Sequence, residues 1–197
     1  MRAATRLVAS TAVAAGLVLS AGATAHAEGT NVKDKASDVG LVPDVSDTGT
    51  FTVLGYQASI DSGVDLRGMR VRHGRKTVTL RLKFTQLAPD AKISMEFRSN
   101  GRRQTDHYLF SVSSRRGVLL DAKAADTCSV PLTARTGRDG TLYAVIKRSC
   151  LGDPERIKVS GGAFRGDLAS DNGSIHADPI SNTKIQGPSW TKWLKSG

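Results

Sequence analysis

The stretch "MRVRHGRKTVTLRLKF", residues 69–84, constrains the fold of this chain more than any other part of it. Met69, Val71, Val78, Leu80, Leu82 and Phe84 alternate with Arg70, Arg72, Arg81 and Lys83. Successive side chains of an extended strand point to opposite faces, so a period of two puts the apolar set on one side and the cations on the other. A helix would scatter both sets around its circumference. "HGRK", residues 73–76, separates the two runs by a length that suits a hairpin.

The same period recurs along the chain. Ile93, Met95 and Phe97 alternate with Ser94, Glu96 and Arg98. Asn100-Gly101 follows, a turn pair in which both residues tolerate positive φ. On the return strand Tyr108, Phe110 and Val112 share a face, and "RRGVLLDA" adds a turn and a short strand. "TCSVPLTAR", residues 127–135, reads as strand with Pro131 at an edge or a bulge. "TLYAVIKRSC" and "ERIKVSGGAF" follow, the latter with a bulge expected at Gly161-Gly162. "FTVLGYQASI" and "DLRGMRVRH" also read as short strands, and no long run keeps a helical period. Seven or eight short strands between turn signals predict an all-β fold, an antiparallel two-sheet sandwich of Ig-like or jelly-roll-like form.

Arg2 and Arg6 precede an apolar run from Leu7 to Leu19, and Ala25-His26-Ala27 has a small-x-small pattern. Together they predict a signal peptide over 1–27, cleavage after Ala27 and a secreted, extracellular protein. The run is short for a bilayer span and no other long apolar stretch follows, so no transmembrane segment is expected in the mature chain. The remaining 170 residues suit one domain. Residues 28–50 read as a flexible acidic lead-in, 51–168 as the β domain and 169–197 as a tail bearing Trp190 and Trp193. In an exported chain Cys128 and Cys150 pair most simply with each other. Such a disulfide closes a loop of about 23 residues and contributes about 3 kcal/mol in the chain-entropy picture.

"VDLRGMRVRHGRKTVTLRLKF", the Asn-Gly hairpin, the cysteines around "GTLYAVIKRSCLGDPERIKVS" and the terminal "SWTKW" resemble a group of small secreted β-sandwich proteins of high-GC Gram-positive bacteria. The resemblance spans residues 57–195 and implies a secreted, disulfide-stapled sandwich. It carries over no catalytic residue.

Charge is unevenly spread. Residues 28–65 hold 2 Lys against 7 Asp or Glu, whereas residues 66–116 hold 13 Lys or Arg against 3 Asp or Glu. This points either to an anionic partner or to an internal match with Asp38, Asp44, Asp47, Asp61 and Asp65. The candidate binding residues are Arg70, Arg72, Arg81, Lys83, Arg102 and Arg103. A solvated outer face, its long stems covering apolar surface, is the plainer reading. Aromatics do not interleave the cationic run, so specific nucleic-acid binding is not expected. Trp190 and Trp193 suit a platform for a sugar ring or an acyl chain, or else an anchor for the tail.

Asp167, Asp171, Asn172 and Asp178 are hard oxygen donors, but their spacing fits no EF-hand and reads as a polar surface loop. No cofactor or metal is predicted. His73, His107 and His176 lie in no recognised catalytic motif. The expected function is an exported, non-enzymatic binding module for an anionic polymer of the cell envelope or its surroundings. Alternatives are a secreted inhibitor or structural envelope protein that binds a protein partner, and a hydrolase using His107 or His73.

Overall fold

The computed structural model of the chain describes residues 27–42, 52–166, 174–180 and 189–197. The expected signal peptide, apart from Ala27, lies outside them, as do Asp44, Asp47, Asp167, Asp171 and Asn172.

β4 (Leu66–His73) and β5 (Thr77–Phe84) form the hairpin that the alternation predicts. Met69, Val71, Val78, Leu80, Leu82 and Phe84 are no more than 2 % exposed, while Arg70, Arg72, Arg81 and Lys83 face solvent. Each apolar side chain so buried contributes about 1.5–3 kcal/mol. The register shifts between Leu66 and Gly68, so Arg67 is also exposed.

Within the expected lead-in, Glu28–Lys33 and Gly40–Val42 are strand. β1 (Glu28–Lys33) pairs antiparallel with β4 although only Val32 is buried; the backbone ladder orders a polar segment that has no apolar face of its own. β2 (Gly40–Val42) and β3 (Thr52–Val53) pair with each other. "FTVLGYQASI" holds the two-residue β3 and then the start of a short helix, α1 (Tyr56–Ser62), where strand alone was expected. Gly63, at φ 72°, ends it by donating its N–H to the Ile60 carbonyl.

Beyond β6 (Gln86–Leu87) come β7 (Lys92–Ser99), β8 (His107–Ser111), β9 (Arg116–Asp121) and β10 (Asp126–Arg135). β11 (Gly137–Arg138) pairs with β6, and β12 (Thr141–Lys147) leads into a 3-10 turn, Arg148–Leu151. β13 (Arg156–Arg165), β14 (Ile175–Pro179) and β15 (Leu194–Lys195) complete the described elements.

The hydrogen bonds run through one large antiparallel ladder, β1-β4-β5-β12-β10-β9-β8-β7-β13-β14-β2-β3, with β15 added to β13. Two separate sheets were the expectation; instead β10 belongs to both wings of a single curled sheet. Its residues up to Pro131 pair with β9, and Leu132–Arg135 pair with β12. Proline has no N–H to give a ladder, and the strand changes partner next to it. The inward residues of both wings form one core, in which Leu80 and Leu142 share a cluster with Met95, Phe97, Leu109 and Val159. Tyr108, Phe110 and Val112 do share a face, but it is the outer one, with Leu109 turned inward.

Gly161-Gly162 is not a bulge. β13 stays in register with β7 through both residues while β14 closes on its other side. A Cβ on Gly161 would press on the Ser94 carbonyl, so glycine serves close strand approach here.

Cys128 and Cys150 form a disulfide, with Cα atoms 5.8 Å apart. It holds β10 to the turn after β12, at the end where β10 has left β12 for β9. On the other side the tail crosses between the wings. Leu194 pairs with Ile157 of β13, and its carbonyl meets Nδ1 of His73 on β4 at 2.9 Å. The Lys195 N–H donates to Glu28 Oε2 at 2.7 Å. No helix of the described residues is long and apolar enough to cross a membrane.

Candidate anion-binding site

Strand register assembles the cationic face in rows. Asn31, Arg70, Arg81 and Tyr143 lie side by side across β1, β4, β5 and β12. The next row is Lys33, Gly68, Lys83, Thr141 and Arg135, the last from β10. Gly68 places no side chain between Lys33 and Lys83, and a hollow of about 390 Å³ opens there, lined also by Arg67, Arg70 and Arg81. A second hollow, of about 740 Å³, adjoins it and adds Arg135, Arg138 and Tyr56 along with Asp34 and Asp139. Lys33, Arg67, Arg81 and Lys83 line both.

Arg70 stands directly opposite Arg81. Like charges so placed repel across a strand pair unless something offsets them. No carboxylate among the described residues forms an ion pair with Arg70, Arg72, Arg81 or Lys83. Among the described acids of the first segment, Asp34 lines the second hollow, and Asp38, Asp61 and Asp65 line neither. Asp61 takes a hydrogen bond from Gln57, Asp65 is buried, and the half-buried Asp38 is clustered with Asp65. The face thus concentrates positive charge in the open, with Asp34 and Asp139 among the residues that line the second hollow.

The other candidates lie elsewhere. Arg102 and Arg103 are exposed on the β7–β8 turn, in the other wing, and line neither hollow. Trp190 and Trp193 are half-buried along β13. The Arg98 guanidinium sits 3.9 Å from the centre of the Trp190 ring, and Arg156 and Lys158 lie 5.4 and 5.3 Å from that of Trp193. Between the two rings Thr191 is bonded both ways to Val159, its N–H to the carbonyl at 2.9 Å and its hydroxyl accepting at 3.0 Å.

Lys33, Arg67, Arg135, Arg138 and Tyr143 join the face without having been singled out in the sequence. Alternation in "TLYAVIK" puts Tyr143 opposite in direction to Leu142 and Ala144, which is a local signal. That β12 lies beside β5 is a long-range pairing with no local signal at all. Tyr143, 40 % exposed, places an aromatic ring among the cations that the sequence run itself lacks.

His107 lies beside Asp106. Ser99 donates its hydroxyl to Asp106 Oδ2, and His107 Nδ1 lies 3.6 Å from Asp106 Oδ1. The carboxylate stands between hydroxyl and imidazole, so the imidazole does not take the serine proton, as nucleophile activation requires. Burial works to raise the Asp106 pKa, but the neighbouring His107 and the bond from the Ser99 hydroxyl outweigh it and hold it below the usual range.

Asp38, Asp65 and Asp178 bring carboxylate oxygens within 4.8 Å of one another. Asp178 is thus grouped with residues from two other segments. Burial, with the charge of Asp34 next in weight, pushes the Asp178 carboxyl up to about 9. Burial likewise raises Asp38.

These features define a β-rich protein closed by one disulfide, with a cationic outer face. No protein-family model, curated protein or solved structure matches the chain.

Proposed function

We propose that this protein is an exported, non-enzymatic module that binds an anionic polymer of the cell envelope or its surroundings on the outer face of β1, β4 and β5. The observation that carries the reading is the sharing of Lys33, Arg67, Arg81 and Lys83 by two adjoining open hollows. A polymer is held by repeated anionic contacts along a surface, and a cationic sheet face supplies them without an enclosing pocket. Secretion rests on the residue pattern of 1–27 and accords with a disulfide. The curled sheet is taken to act as a two-layer sandwich hinged on β10, which the common core of both wings supports.

The test is co-sedimentation with isolated cell-wall material at low and high salt, beside a variant with Arg70, Arg72, Arg81 and Lys83 changed to Ser. The protein should pellet at low salt, stay in solution at about 1 M salt where the screening length is about 3 Å, and fail to pellet as the variant. Pelleting that ignores both salt and the substitutions would sink the reading.

A further inference from the structure

We propose that Asp38, Asp65 and Asp178 bind a divalent cation, calcium by the chemistry and spacing of their donors. The three come from the β1–β2 loop, the residue before β4 and the fourth position of β14. Asp65 and Asp178 are both 0 % exposed. Oxygens from all three lie within 4.8 Å of one another. Calcium bonds oxygen at about 2.3–2.6 Å, so one ion reaches donors on opposite sides of it up to about 5 Å apart. Magnesium, at about 2.0–2.1 Å, spans less.

A separate observation concerns which oxygens are already used. Asp178 Oδ2 accepts the Leu66 N–H at 2.6 Å, Asp65 Oδ1 accepts the Ser37 N–H at 2.7 Å, and Asp65 Oδ2 takes the Thr85 hydroxyl. These bonds fix how the carboxylates are turned. Asp178 Oδ1 is out of reach of solvent and has no hydrogen-bond partner, and Asp38 Oδ1 is in the same position. A buried acceptor without a partner costs about 1–3 kcal/mol, and more when it is charged. Two such atoms in one acidic cluster are what a bound cation relieves. No Lys, Arg or His among the described residues forms an ion pair with any of the three.

Hard carboxyl oxygens without nitrogen or sulfur donors select calcium over zinc or copper. The site joins the wings, because Leu66 begins β4 on one and Asp178 lies in β14 on the other. The inference is independent of the polyanion reading.

The experiment titrates the purified protein, stripped with EDTA, with calcium chloride and separately with magnesium chloride in a calorimeter, and follows thermal unfolding with each. About one calcium should bind per chain, unfolding should move to higher temperature, and magnesium should bind more weakly. Asp38→Asn is the first variant, since Asp38 is half-exposed and its substitution threatens the fold least. Asp178→Asn keeps an acceptor for the Leu66 N–H. Each should lose calcium affinity by at least about tenfold together with the thermal response, and without metal each should unfold no earlier than the parent. Asp61→Asn, exposed on α1, should bind calcium as the parent does. Absence of calcium heat and of any thermal shift at millimolar calcium would overturn the assignment, as would undiminished binding by Asp38→Asn and Asp178→Asn.

Discussion

His73, at the end of β4, shows how much of this molecule's behaviour is set by where one side chain lies. It is 0 % exposed, and its Nδ1 reaches only the Leu194 carbonyl, so that nitrogen carries the proton and donates it. Burial pushes its pKa below the usual value; the bond to Leu194 opposes this, nearby Arg148 adds to it and Glu28 counters. The folded state therefore keeps His73 neutral at a pH where the unfolded chain has already taken a proton. Stability from this group is complete above about 6.5 and is lost as pH falls from there toward the depressed folded value. His73→Gln retains a donor for Leu194 without the titration. Thermal melts of both proteins from pH 8 to pH 5 should show the parent losing stability relative to the variant over the lower half of that range. Parallel curves would contradict the assignment. At this scale the sequence was partly legible: the faces of residues 69–84 follow from their alternation alone. The convergence of Asp38, Asp65 and Asp178 does not, because a carboxylate at position 178 gives no local sign of a partner at position 38.

Elements were legible where burial imposes a period and obscure where only pairing does. β4, β5 and β7 each bury every second residue over much of their length, and that pattern is written in the chain. β1 buries Val32 alone, so its order comes from the exposed edge of β4 and leaves no periodic trace. α1 has seven residues, two turns, too few to separate a helical period from a short strand. The glycine pair of β13 misled for a related reason, since a bulge and a close approach ask for the same residue. Gly161 has φ 145° and faces the β7 backbone, so Gly161→Ala should cost about 1–3 kcal/mol in urea unfolding. Gly55→Ala meets nothing within 4 Å and has φ −71°, and should stay within about 0.5 kcal/mol. Equal effects of the two substitutions would mean that β13 is not held as tightly as its register indicates.

At the scale of the whole molecule, one curled sheet is held shut at two places. On one side β10 passes from wing to wing and the Cys128–Cys150 bond secures it. On the other, the tail and the Leu66–Asp178 bond tie β13 and β14 back to β4. Closure consumes the inner sides of both wings in the core and leaves the cations of β1, β4 and β5 with nowhere to point but outward. Folding explains why those positions are wet, and the proposed polyanion partner is the account offered for why they are Lys and Arg.

The most direct test of that claim holds total charge constant and moves its location. Affinity for long-chain inorganic polyphosphate at low salt is measured for the parent and for two variants that each lose four cations. One changes Lys33, Arg67, Arg81 and Lys83 to Ser; the other changes Arg102, Arg103, Lys123 and Lys192, all exposed and outside both hollows. The first should bind at least about tenfold more weakly than the parent and the second within about threefold. Equal losses would mean that net charge alone attracts the polymer, and the cationic face would have no special part in binding it.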